Sequence, residues 1–150
     1  PDCEKRGIGT LIYSPLMHAL LAGKYRTAAE VPDGRARSRH FSTDRELARH
    51  GEPGCEELTF ATIARIGEIA ERNGRTTADV SIAWLLAKPG VDCVIAGART
   101  PEQLERNVAS FEEPLDEGVV RELDEATEEL RLALGPNPDM WDGGENSRFR

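Results

Sequence analysis

The fold is decided by residues 91–103, which read VDCVIAGARTPEQ. The first six are a short run rich in β-branched residues, typical of a buried strand, and Gly97 follows as a turn residue. Thr100, with a proline next to it and a glutamine three positions on, is a strong helix start. A strand that passes through a glycine turn into a capped helix is one βα unit. These residues therefore predict an α/β protein.

The segments on either side of this unit extend the same pattern. Residues 8–13 predict another buried strand, which ends at a Ser-Pro pair. Residues 59–73 and 80–88 predict two helices, the second opened by a capping box from Thr76 to Asp79 and apolar nearly all round. Two more helices are predicted after the 91–103 unit, with the apolar stripes Leu104, Val108 and Phe111 in one and Val119, Leu123, Ala126, Leu130 and Leu134 in the other.

The predicted order is strand, long loop, two helices, strand, two helices. This order suits two parallel strands whose faces are covered by helices. Two strands cannot bury these helices by themselves, so partner strands are expected from outside this sequence. We therefore interpret the sequence as a fragment of a larger parallel sheet. Pro1 in place of an initiator methionine indicates a processed or cut N-terminus.

The long loop covers residues 26–57 and has almost no apolar periodicity. Residues 24–50 hold seven cations against four acids, and turn signals occur at 32–34 and 51–54. A connection of roughly 30 residues is far longer than usual, so we expect a lid over a ligand, a binding loop, or a mobile or disordered insertion. The last segment, 136–150, is predicted to be a tail, and it carries no motif that we can assign.

Composition excludes several classes of function. The sequence has 150 residues, enough for one domain, and a net charge of −8, which disfavours binding to nucleic acid or to an anionic membrane. It contains neither an apolar stretch of bilayer length nor a secretory signal. Its three cysteines are far apart, which excludes a disulfide framework and a zinc ribbon and fits a reducing cytoplasm. We expect a cytoplasmic protein.

The reactive side chains do not form a self-contained active site. His18, His40 and His50 have no metal-ligand spacing, and each is expected to be a structural or solvated histidine. Cys93 alternates within the predicted strand and is expected to be a small core residue. We therefore predict no metal site and assign no catalytic residue in this sequence.

Anion binding is better supported by the stretch quoted first. The free backbone N–H groups and positive dipole end of a helix N-terminus favour phosphate, and Arg99 adds a forked cation beside them. On the following helix, Gln103, Arg106 and Asn107 share one face by their spacing. The alternative is that this is only a solvated polar face opposite Leu104 and Val108.

Several ordered motifs resemble the C-terminal part of the aldo/keto reductase family. They run in sequence from 13–16 (YSPL) through 20–25 (LLAGKY) and 83–86 (AWLL) to 95–104 (IAGARTPEQL) and Asn107. The similarity extends from Gly7 to about Leu134. It implies a TIM-type (β/α)₈ barrel of which this sequence supplies the last two strands, with function at the carboxyl ends of the strands. Residues 1–135 would then be the C-terminal part of the reductase domain.

The resemblance also implies a cofactor, NADP(H), and a role for each matching residue. Tyr13 matches an aromatic ring that stacks on the nicotinamide, and Arg99 lies in the loop that holds the 2′-phosphate. The positions that match contacts to the pyrophosphate are Ser14, Leu16 and Lys24, and Pro15 lies in the same turn. The positions that match the 2′-phosphate loop are Gly97, Ala98, Arg99 and Thr100. The positions that match contacts to the adenosine are Gln103 and Asn107.

Three features depart from the family pattern. Met17 and Ala19 stand where glycine or another small residue is common, which narrows the expected pyrophosphate turn. Arg106 replaces a glutamate that accepts a hydrogen bond from adenine in many members. The family's Asp, Tyr, Lys and His tetrad lies before this segment, and Lys24, Tyr25 and His18 do not replace it.

Two functions follow as hypotheses. The first is an oxidoreductase that reduces carbonyls or oxidises alcohols, here present as the cofactor-binding part without its tetrad. The second is a non-catalytic subunit that binds NADP(H) and regulates a partner. The expected partners are a small carbonyl or alcohol substrate, the missing N-terminal half of the barrel and, as a further possibility, other copies of the chain.

Overall fold

The computed structural model describes residues 2–143. It is an α/β structure with a two-stranded parallel sheet and most of its regular structure in helices. The strands are β1 (Leu11–Tyr13) and β2 (Cys93–Ile95); the helices are α1 (Asp2–Lys5), α2 (Glu56–Arg72), α3 (Thr77–Leu86), α4 (Pro101–Glu112) and α5 (Glu117–Leu134), and two 3₁₀ segments cover Met17–Ala22 and Ala28–Glu30. None of the helices in this range is long and apolar enough to cross a membrane.

The sheet confirms the predicted parallel pairing. Leu11 pairs with Cys93 and Tyr13 with Ile95, so the two strands end at the same edge. The backbone N–H of Asp92 and of Cys93 donates to the Thr10 carbonyl, at 3.3 and 3.1 Å, and extends this pairing towards the start of the strands. Since the strands are in register, the loops that follow them leave the sheet side by side.

The predicted helix starts are confirmed at atomic detail. The Thr76 side chain accepts from the Asp79 backbone N–H at 3.2 Å, and the Asp79 carboxylate accepts from the Thr76 N–H at 3.0 Å, a complete capping box for α3. The Thr100 hydroxyl accepts from the Gln103 N–H at 3.3 Å and caps α4, which has Pro101 at its first position.

The chain divides into two compact units. Within residues 2–143, the first comprises 2–24 and Ile66–Asp124, and the second comprises Tyr25–Arg65 and 125–143. In the first unit, the buried residues of α3 are Val80, Ser81, Ile82 and Ala83. The side chain of Trp84 donates to Asp124 Oδ1 at 2.7 Å, and Lys88 pairs with the same carboxylate, so these contacts connect the middle of α5 to the C-terminal end of α3.

The prediction that both strands are buried is wrong for this chain. Leu11 is 64% exposed, Tyr13 68% and Ile95 54%, all on one face of the sheet, and Cys93 on that face is exposed rather than a core residue. The predicted apolar stripe of α4 is exposed too, with Phe111 at 69%. The physical reason is that no layer within residues 2–143 covers these surfaces. The periodicity identified the apolar faces correctly, but residues 2–143 contain no segment that covers them.

The second unit contains most of the long loop. The loop is irregular, as predicted, apart from one 3₁₀ turn, and it ends two residues earlier than expected because α2 begins at Glu56. It nevertheless packs around Phe41 and Ala36, which are fully buried, and Val31. The proposed role of 26–57 as a lid stays a prediction.

Arg39 ties this loop to the C-terminal segment. Its Nε donates to both carboxylate oxygens of Glu52, at 2.9 and 2.8 Å, and its terminal nitrogens donate to the carbonyls of Leu134 and Asn137. Its backbone N–H donates to the Met140 carbonyl at 2.9 Å. The side chain is therefore a buried cation with a hydrogen-bond acceptor at each of its three nitrogens. The first part of the predicted tail thus belongs to the second unit, whereas residues 144–150 lie outside the described range.

Two of the histidines are structural, as predicted. Burial, with the nearby charge of Arg39, lowers the pKa of His40 from 6.5 to about 4, and its Nδ1 lies 3.1 Å from the Ser38 hydroxyl. Burial lowers the pKa of His50 as well. Both imidazoles are held neutral inside the second unit at neutral pH.

We expect acid to destabilise the second unit through His40. Because its pKa is about 4 in the folded state and has its ordinary value of 6.5 in the unfolded chain, the unfolded chain binds more protons between these values. Stability that is fully present above pH 6.5 should fall by about 3 kcal/mol as the pH drops to 4. Urea unfolding from pH 7 to pH 4 measures this loss. His40→Asn, which cannot titrate there, should show a flatter profile, and equal slopes for both proteins would contradict the assignment.

Candidate functional site

The candidate site is a cavity of about 470 Å³ in the first unit. It lies where the loops after β1 and β2 leave the sheet together with the N-terminal ends of α3 and α4. It therefore joins the two regions of the sequence that were singled out separately. Its lining residues are Leu16, Ala19, Ala22, Thr76, Ala78, Asp79, Gly97, Ala98, Arg99, Gln103, Arg106 and Asn107.

The wall that follows β1 has an unusual backbone. Ser14, Met17, His18 and Ala19 all have positive φ, between 43° and 75°, although none is a glycine. Such conformations cost of order 1–3 kcal/mol each and persist where the surroundings impose them, often at functional sites. Met17 and Ala19 are the positions at which the sequence resemblance implies glycine or another small residue, and a left-handed backbone favours glycine.

The wall that follows β2 is fixed by the first turns of α4. The Gln103 side chain accepts from the Arg99 backbone N–H at 2.9 Å, and the Asn107 amide donates to the Gly97 carbonyl at 3.5 Å. The half-buried Gln103 and Asn107 thus hold the turn between β2 and α4 in place. The Arg99 and Gln103 N–H groups are both used within the protein, so fewer backbone donors are free than the sequence suggested.

The lining that residues 2–143 contribute to the cavity contains two arginines and one carboxylate. Neither Arg99 nor Arg106 forms an ion pair with any residue in the described range, and the side chain of Arg106 makes one long hydrogen bond, 3.4 Å from its Nε to the Glu102 carbonyl. Asp79 is the only carboxylate that residues 2–143 contribute to the lining, and its Oδ2 accepts from the Thr76 N–H and hydroxyl. A hydrogen bond from the Thr100 hydroxyl lowers the pKa of the nearby Glu102. The two guanidinium groups therefore form no salt bridge among these residues, although the charge of Glu102 interacts with that of Arg106.

The structure brings six of the predicted cofactor residues into this cavity and leaves five outside its lining. The Thr100 side chain caps α4, and the Ser14 carbonyl accepts a hydrogen bond from the Met17 N–H at 3.0 Å. Tyr13 lies at the end of β1 with most of its surface exposed. The six in the lining are Leu16, Gly97, Ala98, Arg99, Gln103 and Asn107; the five outside it are Tyr13, Ser14, Pro15, Lys24 and Thr100.

Sequence reasoning missed the wall formed by the start of α3. Thr76, Ala78 and Asp79 line the cavity, although the sequence marked them only as a helix start. Their proximity follows from the packing of α3 against α4, shown by the 3.5 Å contact between the Ser110 hydroxyl and Asp79 Oδ1. No local pattern encodes that packing.

Comparison with known proteins identifies the family. Residues 1–128 match the aldo/keto reductase family, and the chain belongs to it. It is 32% identical over 121 residues to the "Putative voltage-gated potassium channel subunit beta" of Schizosaccharomyces pombe (strain 972 / ATCC 24843), covering 79% of this chain and 34% of the relative. It is 30% identical over 108 residues to the L-glyceraldehyde 3-phosphate reductase of Escherichia coli (strain K12), covering 72% of this chain and 30% of that enzyme.

Solved structures agree with the sequence match at the level of the fold. The structure of a glycerol dehydrogenase from Gluconobacter oxydans superimposes with a TM-score of 0.65 at 23% identity, covering 93% of this chain and 38% of that one. The chain thus spans about a third of the length of the curated relatives that it matches.

Proposed function

We propose that this chain is the cofactor-binding, C-terminal part of an NADP(H)-dependent aldo/keto reductase, and that β1 and β2 are the last two strands of its barrel. The observation that carries the proposal is the cavity that both strand exits share. Ligands of parallel α/β folds bind outside the carboxyl ends of the strands, which is where this cavity lies. In an intact parent the reaction would reduce a carbonyl or oxidise an alcohol.

The lining residues suit an extended dinucleotide phosphate. The cavity of about 470 Å³ has a guanidinium without an ion pair at Arg99, polar amides at Gln103 and Asn107, and small residues along its other wall. Arg99 would hold the 2′-phosphate, Leu16 and its strained turn would lie along the pyrophosphate, and the two amides would face the adenosine. Pyrophosphate contacts from Ser14, Pro15 and Lys24 are part of the same proposal.

The nicotinamide end of the cofactor would lie at Tyr13. When bound, the reduced nicotinamide supplies the hydride for carbonyl reduction. The exposed ring of Tyr13 on the open sheet face offers a flat surface against which a nicotinamide can stack and be oriented. Protonation of the carbonyl oxygen would be performed by the family's tetrad, which lies before the matched segment in full-length members.

A second candidate is a non-catalytic NADP(H)-binding subunit. It is favoured by the Schizosaccharomyces pombe relative, whose name describes a channel subunit rather than an enzyme. The two candidates differ in the remainder of the protein. An intact Asp, Tyr, Lys and His set in the full-length sequence would support the enzyme, and its loss would support the subunit.

Arg99→Ala tests the phosphate assignment. Because a charge-assisted hydrogen bond contributes roughly 1.5–3 kcal/mol, NADPH affinity should fall roughly tenfold to a hundredfold, while NADH affinity stays nearly constant. Titration of NADPH and NADH fluorescence measures both values. Arg121→Ala is the matched control, since Arg121 is an exposed arginine on α5 outside the cavity. Equal losses for the two cofactors would overturn the assignment of Arg99 to the 2′-phosphate.

A further inference from the structure

Asp79 contributes the one carboxylate that residues 2–143 place in the cavity lining, and the proposed function gives it no role. It belongs to the first turn of α3, and it also lines an adjoining cavity of about 130 Å³. Its 3.5 Å contact with the Ser110 hydroxyl of α4 places it where these two helices meet. Asp79 therefore lies on the side of the candidate site that α3 and α4 form together.

The two carboxylate oxygens of Asp79 have different surroundings. Oδ2 accepts from the Thr76 N–H at 3.0 Å and from the Thr76 hydroxyl at 2.6 Å, so it belongs to the helix cap. Oδ1 lies 3.5 Å from the Ser110 hydroxyl, which is the limit of a hydrogen bond. That hydroxyl has a single proton and donates it at 3.0 Å to the Arg106 carbonyl. The hydrogen-bonding capacity of Oδ1 is therefore largely unused by residues 2–143.

The other side-chain oxygens of the lining are weaker acceptors. Thr76 Oγ1 accepts from the Asp79 N–H at 3.2 Å, and Gln103 Oε1 accepts from the Arg99 N–H at 2.9 Å. The amide oxygen of Asn107 is uncharged. Since a hydrogen bond to an ionised group is roughly twice as strong as one between neutral groups, Asp79 Oδ1 is the strongest acceptor that the described residues offer to a ligand here.

The chemistry of this oxygen indicates which part of a dinucleotide it receives. A carboxylate repels a phosphate, so its ligand must be an uncharged group that carries a proton to donate. An extended dinucleotide has its nicotinamide at one end and its adenine at the other. Since the nicotinamide is proposed to lie at Tyr13 and the amides of Gln103 and Asn107 to face the adenosine, the base lies on the α3–α4 side. The exocyclic amino group is the hydrogen-bond donor on the edge of adenine.

We infer that Asp79 accepts a hydrogen bond from the exocyclic amino group of the cofactor's adenine, and that it selects an adenine nucleotide over one whose purine carries an oxygen at the same position. This inference rests on the proposed function. Asp79 acts on the affinity for the base, and it has no part in the chemical step.

The first test compares NADPH with its hypoxanthine analogue, in which an oxygen replaces the amino group. In the analogue this oxygen would face the Asp79 carboxylate, so two acceptors would meet without a proton between them. The unmodified chain should therefore bind NADPH at least about tenfold more tightly than the analogue. Titration of the nicotinamide fluorescence, which both ligands share, measures the two affinities. Equal affinities in the unmodified chain would overturn the inference without the need for a variant.

Asp79→Asn in the full chain is the decisive variant. Because the Thr76 N–H and hydroxyl both donate to the position of Oδ2, the amide oxygen of the new side chain takes that position. The amide NH₂ then replaces Oδ1, so a donor stands where an acceptor stood. The preference for NADPH over the hypoxanthine analogue should disappear or reverse. Loss of the negative charge affects the phosphates of both ligands alike, so the ratio of the two affinities reports on the base.

Asp116→Asn is the matched control. Asp116 is an exposed carboxylate just before α5 and lies outside the cavity lining, so the same change of charge there should leave the ratio as it is in the unmodified chain. Thermal unfolding followed by circular dichroism shows whether the helices of each variant remain intact.

The outcomes separate this inference from the function on which it rests. If NADPH binds and Asp79→Asn leaves the ratio unchanged, Asp79 does not contact the amino group, and the proposed function stands without it. If the unmodified chain does not bind NADPH but prefers 5′-AMP to inosine 5′-monophosphate in a way that depends on Asp79, the adenine contact stands and the proposed cofactor is wrong. If none of these nucleotides binds, both proposals are wrong.

Discussion

Gly54→Ala is expected to destabilise the second unit by roughly 3–5 kcal/mol. Gly54 has a φ of +76°, and a Cβ added there would lie 2.2 Å from the Phe41 carbonyl oxygen and 2.7 Å from the Ser42 nitrogen. The obstacle is backbone, so no side chain can rotate away. The substitution would therefore displace the segment that carries the fully buried Phe41 ring. A loss of this size is a large fraction of the roughly 5–15 kcal/mol by which domains are typically stable.

Gly51→Ala is the matched control for this prediction. Gly51 has nearly the same backbone, with a φ of +70°, but nothing lies within 4 Å of an added Cβ. It should cost only the left-handed strain, about 1–2 kcal/mol. Urea unfolding should be monitored by the fluorescence of Trp141 in a Trp84→Phe background, because Trp141 belongs to the second unit. Similar urea midpoints for the two alanine variants would contradict this prediction, because they would show that the backbone around Phe41 can shift at little cost in free energy.

The 150-residue chain, expressed alone, is expected to show no carbonyl reduction. The lining of the candidate cavity within residues 2–143 contains the groups proposed above to bind a nucleotide but none of the tetrad that the resemblance implies for proton transfer, and a positioned general acid alone contributes roughly 10²–10⁴-fold. The measurement is NADPH oxidation with a panel of aldehydes. A chimera that joins this chain to the N-terminal two-thirds of the Escherichia coli reductase is the positive control. Steady turnover by the monomeric chain would mean that the active site is misplaced.

The same experiment should be accompanied by sedimentation. Among residues 2–143, nothing pairs with the outer edges of the sheet or covers its apolar face at Leu11, Tyr13 and Ile95, and such edges and faces favour association. We expect the isolated chain to self-associate and the chimera to do so less. A monomeric, cooperatively folded chain would contradict this expectation.

Helix caps and the strand before Gly97 were predicted well because they depend on residues that are close together in the sequence. The caps at Thr76 and Thr100 and the strand that leads into Gly97 depend on residues within a few positions, and each is confirmed. Parallel pairing was predicted because two strands separated by helices suit that arrangement, and it is confirmed. The family resemblance rests on the same short, ordered motifs.

Burial and tertiary proximity were predicted poorly because they depend on distant residues. The stripe of α4 is apolar by sequence, but whether it is covered depends on chain that residues 2–143 do not include. The contribution of Asp79 to the cavity depends on how α3 packs against α4. The hydrogen bonds of Arg39 join positions that share no motif, so the sequence showed only an unexplained cation in a long loop.

Arg39 also has a consequence for the order in which the protein acquires its structure during synthesis. The carbonyl of Asn137, which its guanidinium binds, is 98 residues further along the chain. A ribosome adding about 5–20 residues per second needs about 5–20 s to reach it. During that interval the guanidinium lacks its C-terminal acceptors, and before the interval ends β1, β2, α3 and α4 have all been synthesised. The cavity can therefore assemble on the nascent chain before the second unit closes. Truncations near the C-terminus should then act on the last step of folding and not on the first.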